Sequence, residues 1–201
     1  MKQANQVREV TPASQYHRSH LPHFEAGKVP QHVSFRLADS LPEMVVARWR
    51  SELLGLPEAK RTADMRERVE AALDRGYGAC WLRRPQVAAL VQEALVHFEH
   101  TRYLLHAWVI MPNHVHALMT ALGGRHLSAI LHSWKSFTAK SANKHLGRKG
   151  QFWQADYFDR VMRDEAHFAA TVDYIHWNPV KAGLCDKPED WPWSSFRKTQ
   201  G

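Results

Sequence analysis

The fold is decided by LLHAWVIMPNHVHALMTA, residues 104–121, in which two apolar runs are separated only by Pro112 and Asn113. Each run has the length of a β-strand. A connection this short places two consecutive strands side by side and antiparallel. We therefore predict a strand pair over 104–111 and 114–121.

The second of these strands carries two histidines, His114 and His116. Side chains two apart on a strand share a face, so both imidazoles can reach one cation while Val115 points into the core. A His-x-His pair alone is weak evidence, because the chain has 14 histidines and such a pair is often incidental or a polar strand edge. The pair is thus a candidate metal site that needs a second observation.

The elements around the strand pair predict an α+β fold, with one antiparallel sheet covered by helices. The alternation in QHVSFRL predicts a half-buried strand over 31–37, and YFDRVMR predicts another over 157–163. Apolar spacing and capping signals predict further helices over 42–54, 58–75, 87–98, 128–145 and 164–175. Ser128 and Asp164 are the predicted N-caps of the last two helices, and Asn178-Pro179 is expected to end the last one. The charged helix at 58–75 is expected to be amphipathic and exposed.

The composition favours a polyanionic partner. The chain of 201 residues carries a formal net charge of +7 and has a sequence pI near 9.6. Nucleic acid fits this balance, although other basic proteins share it. Cys80 and Cys185 have no metal-binding spacing, and neither a signal peptide nor a membrane-length apolar run is visible, so we expect a soluble, cytoplasmic protein.

A second polar constellation is Tyr174 with Asn178, four positions apart on the last predicted helix. Residues with this spacing leave a helix on the same side, here at the border of its apolar stripe. The alternative is a tyrosine at the rim of the core and an asparagine that ends the helix before Pro179.

Basic and aromatic residues alternate between the two constellations. Cations contact phosphates and aromatic rings stack on unpaired bases, although a solvated helix face with an inward apolar stripe gives the same pattern. We take the cations of this region, together with one on the first predicted strand, as candidate DNA contacts: Arg36, Lys135, Lys140, Lys144, Arg148, Lys149, Arg160 and Arg163.

These motifs together resemble the REP-associated tyrosine transposases, a group of single-tyrosine HUH transposases named after a His-hydrophobic-His pair. The resemblance covers roughly residues 31–37 and 104–197 and is carried by separated strings in consistent order: AWVIMPNHVHALM (107–119), GQFWQADYFDRVMR (150–163), VDYIHWNPVKAG (172–183) and WPWSSF (191–196). Several motifs at matching spacing are far more specific than His-x-His alone.

The resemblance implies a ferredoxin-like antiparallel sheet covered by helices, with the HUH motif on a strand and the nucleophilic tyrosine on the last helix. Carried over by position, His114 and His116 are metal ligands, Tyr174 is the nucleophile, and Asn178 matches the third ligand. The implied partner is single-stranded or hairpin DNA. Two imidazoles and an amide oxygen suit a divalent cation, Mg²⁺ or Mn²⁺.

The expected organisation is an extended N-terminal arm at 1–30, the transposase domain at 31–187 and a C-terminal tail at 188–201. Residues 39–84 form a longer helical link than compact members of the family have, and its role stays open, as does assembly into a homodimer. The expected reaction is the nicking of single-stranded DNA and strand transfer through a 5′-phosphotyrosine. The alternatives are a non-catalytic module that binds hairpin DNA, a zinc hydrolase with no need for Tyr174, and a domesticated transposase.

Overall fold

The N-terminal segment contains a pair of strands that the sequence did not predict. The computed structural model describes residues 14–18, 21–25 and 28–198. β1 (Ser14–Arg18) and β2 (Leu21–Glu25) run antiparallel. Part of the segment predicted to be an extended arm therefore pairs with itself, and residues 1–13, 19–20 and 26–27 of that arm lie outside the described residues.

The core is a four-stranded antiparallel sheet, as predicted. Its strands are β3 (Gln31–Arg36), β4 (Tyr103–Ile110), β5 (His114–Ala121) and β6 (Phe158–Val161). They lie side by side in the order β4-β5-β3-β6, every neighbouring pair antiparallel. Three α-helices lie between β3 and β4 and one lies between β5 and β6, and the strand order is that of the ferredoxin-like arrangement that we expected.

The α-helices of the described ranges pack in separate layers. They are α1 (Glu43–Leu53), α2 (Glu58–Asp74), α3 (Pro85–Val96), α4 (Leu127–His145) and α5 (Glu165–Lys181). α3 and α4 cover one face of the sheet and share a core with alternate strand residues such as Phe35 and Val115. α5 packs on the opposite face, where Ile175 contacts the cluster of Val109 and Leu118.

The predicted start of α4 was wrong, whereas that of α5 was right. α4 begins at Leu127 with His126 in the N-cap position, so Ser128 lies inside its first turn. α5 does begin as predicted, since the Asp164 carboxylate accepts a hydrogen bond of 2.7 Å from the backbone N–H of His167.

α5 does not end before Pro179, as the sequence predicted, but continues through it to Lys181. Proline lacks an N–H and therefore removes a single hydrogen bond near the end of the helix. Bonds beyond it compensate, because Ala182 N–H donates to Asn178 O at 3.0 Å and Gly183 N–H donates to Val180 O at 2.9 Å. Asn178 is consequently held at a helical position, one turn after Tyr174.

The helical link folds back on the sheet instead of standing off from it. Gly78 has a φ of +88°, and a Cβ there would lie 2.7 Å from the carbonyl oxygen of Asp39, so only glycine allows this approach. The Asp39 carboxylate also accepts a hydrogen bond of 2.9 Å from Ala79 N–H. These contacts hold the loop after α2 against the end of β3.

The C-terminal tail lies along the outer edge of β4. Ile110 N–H donates to Trp193 O at 2.8 Å, and Trp108 N–H donates to the Ser195 hydroxyl at 2.9 Å. The tail thereby satisfies backbone groups that an edge strand would leave unpaired. None of the helices in the described ranges is long and apolar enough to cross a membrane.

Candidate active site

The two histidines of β5 lie side by side under α5. His114 and His116 are each 1% exposed, and their ring centroids are 4.8 Å apart. They share the α5 side of the sheet with Leu118, while Val115 lies in the core on the other side, as the strand alternation predicted. The structure therefore brings both imidazoles into one buried polar layer.

Asn113 orients the first of these rings. Its side-chain nitrogen donates to the carbonyl oxygens of Leu73 at 3.2 Å and Tyr77 at 3.0 Å. Its side-chain oxygen lies 2.8 Å from His114 Nδ1. Because the amide nitrogen is committed to two carbonyls, the oxygen must accept from Nδ1–H, and the Nε2 lone pair of His114 stays available to a cation.

A third histidine, His32 on β3, faces the second ring. Its Nε2 lies 3.1 Å from His116 Nδ1, and both rings are buried. If His116 is to bind a cation through Nε2, its Nδ1–H must donate to His32. His32 was not predicted as a site residue. The alternation along β3 that places Val33 and Phe35 in the core nevertheless puts His32 on the face of the histidine pair.

Burial keeps these imidazoles neutral. Desolvation lowers the pKa of His114 to about 3, and desolvation followed by repulsion from Arg66 and Arg160 lowers the pKa of His32 to about 3. Burial also lowers the pKa of His116 well below its ordinary value. Neutral imidazole is the form that binds metal ions.

Tyr174 on α5 completes one side of the site. Its ring centroid is 5.4 Å from that of His116 and 6.0 Å from that of His32. Burial, and then the negative charges of Glu70 and Asp74, raise the pKa of the Tyr174 phenol above its ordinary value. The phenol therefore stays protonated at neutral pH unless positive charge arrives.

Asn178 is the least satisfied polar group in this region. Its side chain is 1% exposed, and among the described residues neither amide atom has a partner at good hydrogen-bond geometry, although the amide lies close enough to the Tyr174 phenol to oppose the rise in its pKa. An unpaired buried amide is costly and calls for an explanation such as an absent ion. Within the described ranges no three His, Cys, Asp or Glu side chains form a metal-binding group. Two imidazoles with the Asn178 oxygen would be a donor set of the kind that a divalent cation accepts.

α2 contributes charge to the same site, which corrects the expectation that this helix is merely exposed. Arg66, Glu70 and Asp74 lie at successive turns of one half-buried face of α2. Arg66 pairs with Glu70 at 2.8 Å and stacks 5.0 Å from the ring centroid of Phe158. The charges of this row reach Tyr174 and His32, so the helical link forms one wall of the site.

The candidate DNA contacts lie on both sides of the sheet and on the loops beside it. Arg36 and Arg160 lie on the histidine face, since they are opposite His114 and His32 in the strand register. Lys140 and Lys144 are exposed on α4, which covers the other face. The remaining predicted cations on the loops that follow α4 and β6 are Arg148, Lys149 and Arg163.

Lys135 has a different environment from the other predicted contacts. Its ammonium group donates to the carbonyl oxygens of Gln154 at 2.8 Å and Ala155 at 2.7 Å. Burial lowers the pKa of this amine to about 8. Lys135 thus joins α4 to the segment before β6.

A cavity of about 530 Å³ extends from the site between the helical link and β3. Its lining includes Ser34, which is opposite His116, and Phe158, which stacks under Arg66. Arg36 and Arg50 bring positive charge to its wall. Asp39, Glu43 and Asp156 bring negative charge to the same wall, so this cavity, the β3 cleft, carries charges of both signs.

Comparison with known proteins identifies related chains. Residues 84–178 match the model of the IS200-like transposase family. REP-associated tyrosine transposases of Haemophilus influenzae and Escherichia coli K12 are 31% and 27% identical over 110 residues, which are 50% and 54% of this chain. The matches span 62% and 64% of those relatives, less than two thirds of their length.

The fold also matches a solved structure, that of a REP-associated tyrosine transposase bound to a REP hairpin. The TM-score is 0.57 with 18% sequence identity, over 90% of this chain and 84% of the other. Together with the sequence matches, this confirms the resemblance to REP-associated tyrosine transposases that the motifs predicted, and it confirms the α+β fold.

Proposed function

We propose that this relative of the REP-associated tyrosine transposases nicks single-stranded DNA through a covalent phosphotyrosine at Tyr174. One observation carries the proposal. The Tyr174 ring lies 5.4 Å from His116, and one helical turn later the unpaired amide of Asn178 is buried beside it. A phenol, two neutral imidazoles and an unpaired amide oxygen in one layer are the parts that the reaction needs.

His114, His116 and Asn178 would hold the divalent cation. When bound, Mg²⁺ or Mn²⁺ withdraws charge from the scissile phosphate and orients it for in-line attack. Asn113 leaves Nε2 of His114 for this purpose, and His32 would leave Nε2 of His116 by accepting its Nδ1–H. The amide oxygen of Asn178 gains the partner that it otherwise lacks.

In the proposed step, the Tyr174 oxygen attacks the phosphorus and the bond from phosphorus to the 3′ oxygen breaks. The phenol proton passes to solvent, and the departing oxygen takes up a proton to become a free 3′-hydroxyl. The products are a 5′-phosphotyrosine and that hydroxyl. Because the phosphodiester energy is kept in the new ester, another 3′-hydroxyl can reverse the step and join strands without a nucleotide cofactor.

The proposed substrate is single-stranded DNA next to a hairpin. Arg36 and Arg160 flank the histidines and would contact phosphates next to the scissile one. The solved relative is bound to a REP hairpin, and we extend that partner to this chain as part of the proposal. The cations of α4, on the other face, would require DNA that reaches around the protein.

The second candidate is a module that binds hairpin DNA without cutting it. The buried, protonated phenol of Tyr174 is the observation that favours it, because a tyrosine of this kind is a poor nucleophile without a cation. The two functions differ in one product. A non-catalytic module binds DNA with or without metal and never forms an adduct.

The test uses single-stranded DNA from the flanks of the gene, labelled at its 3′ end, incubated with Mn²⁺ and then denatured. The proposal predicts a labelled protein band that is lost with EDTA and in the His116→Ala variant. Exposed His132→Ala, which is remote from the site, keeps the band and serves as the control. Binding of the same DNA with no adduct under any condition would establish the non-catalytic module.

A further inference from the structure

The loop after α2 reaches the candidate metal site through one residue, Asn113. Asn113 is 0% exposed, and every polar atom of its side chain is engaged. The amide nitrogen donates to two carbonyls of the helical link, and the amide oxygen accepts from His114. The histidine ring and the link are thus joined by one rigid amide plane.

The geometry excludes the other orientation of this amide. If the oxygen and nitrogen were exchanged, the oxygen would face the carbonyl oxygens of Leu73 and Tyr77, with no proton to share. The two carbonyls therefore determine which atom faces His114. They act on the His114 ring indirectly, because they make the Asn113 atom beside it the oxygen, which accepts a hydrogen bond and cannot donate one.

The backbone of Asn113 is fixed from the other side. Leu37 N–H donates to Asn113 O at 2.8 Å, and Leu82 N–H donates to Pro112 O at 3.2 Å. Leu37 lies just before the helical link (residues 39–84), and Leu82 lies near its end. The link is therefore closed around the turn between β4 and β5.

We propose that the helical link positions the metal ligand His114, by holding Asn113 so that His114 adopts the Nδ1–H tautomer and presents Nε2 to the cation. The inference rests on the proposed function for the identity of the ligand, but the tautomer itself is a property of the metal-free protein. It gives residues 39–84 a role that their sequence did not reveal. Asn113 is a positioning residue, since it touches the ligand and not the cation.

The alternative is that Asn113 only fastens the link to the sheet. Both roles predict lower stability when Asn113 is removed, so stability cannot separate them. Only the positioning role predicts a change in the protonated nitrogen of His114. In free histidine the Nε2–H form is favoured, so a released ring should move towards that form.

The primary experiment measures the His114 tautomer by ¹⁵N long-range correlation spectroscopy at neutral pH, without metal. We expect Nδ1–H in the wild type and a shift towards Nε2–H in Asn113→Ala, with Mn²⁺ binding about 10–100-fold weaker by calorimetry. Asn143→Ala is the matched control, because its side-chain nitrogen also donates to a backbone carbonyl, Gly150 O at 2.8 Å, but lies away from the histidines.

A second variant guards against misfolding of Asn113→Ala. Asp39→Ala removes only the carboxylate that accepts from Ala79 N–H, so it loosens the loop without touching Asn113 or His114. The same shift of tautomer, smaller in size, supports the proposal. An Nε2–H ring in the wild type, or an unchanged tautomer in both folded variants, overturns it. Either result leaves the phosphotyrosine test unaffected, because that test measures a DNA adduct.

Discussion

His32 and His116 face each other across two paired strands, with Nε2 of the first 3.1 Å from Nδ1 of the second. Both rings are buried and neither has a carboxylate as its hydrogen-bond partner here. The pair therefore depends on both imidazoles being neutral. Protonation of either one would place a charge in a layer that holds three buried histidines.

This arrangement predicts acid sensitivity. His32 and His114 have pKa values of about 3 in the folded protein, whereas an unfolded histidine titrates near ~6.5. Between those values the unfolded chain binds more protons, so the unfolding free energy falls as the pH is lowered from about 6.5 towards 3. Each such histidine contributes a slope of about 1.4 kcal/mol per pH unit.

We expect His32→Phe to reduce this slope by the contribution of one histidine, about 1.4 kcal/mol per pH unit. Urea unfolding of the metal-free protein at several pH values measures the slope. Exposed His132→Phe, on the helix that covers the other face of the sheet, is the control variant. An identical slope in the wild type and His32→Phe would mean that His32 is already protonated in the folded protein.

Asn178→Leu should separate stability from metal binding. Removing an unpaired buried amide relieves a cost of about 1–3 kcal/mol, so the metal-free variant should melt at or above the wild-type temperature. The rise in melting temperature that Mn²⁺ gives the wild type should disappear. Asn143→Leu, which also removes a buried unpaired amide oxygen, should keep that rise. A less stable variant with an unchanged response to Mn²⁺ would exclude Asn178 as a ligand.

The salt dependence of DNA binding tests whether the lysines of α4 contact phosphates. If Lys140 and Lys144 contact phosphates, replacing both by alanine should reduce the log–log salt dependence of binding to single-stranded DNA by about 0.7 for each lysine. Lys135→Met should lower the melting temperature and leave the slope unchanged, because its amine is bound to two carbonyls. An unchanged slope in the double variant would identify this surface of α4 as a solvated face.

Glu70→Gln should lower the pKa of the Tyr174 phenol. The Glu70 charge raises that pKa, and the substitution also frees Arg66, so both effects act in one direction. NMR titration of ¹³C-labelled tyrosine measures the change directly. Glu67→Gln, on the exposed side of the same helix, is the control. Equal pKa values in the two variants would show that the Glu70 charge does not act on the Tyr174 phenol.

The sheet and its histidine pair were predictable because local pattern determines them. Alternation placed Val115 in the core and both histidines on the opposite face, and a two-residue connection required antiparallel strands. The Asp164 cap followed from the same kind of local chemistry, because one carboxylate satisfies a free N–H at the start of a helix.

What the sequence left out depends on contacts between distant segments. His32 is 84 positions from His116, so alternation along β3 gives its face but only the pairing of β3 with β5 makes it a neighbour of the histidine pair. The inward row on α2 looks like a solvated face, since Arg66, Glu70 and Asp74 are typical surface residues. The continuation of α5 through Pro179 was missed because a proline usually ends a helix, and only the bonds of the final turn show otherwise.

The most direct test of the phosphotyrosine mechanism is the site of the covalent adduct. Wild type, Tyr174→Phe and Tyr157→Phe are incubated with labelled single-stranded DNA and Mn²⁺, and the linked peptide is identified by mass spectrometry. Tyr157 is the control because it lines the β3 cleft, next to the histidine face of the sheet. We expect the adduct on residues 165–181 in the wild type and in Tyr157→Phe, and none in Tyr174→Phe although it folds and binds DNA. An adduct that persists in Tyr174→Phe would contradict the assignment of Tyr174 as the nucleophile.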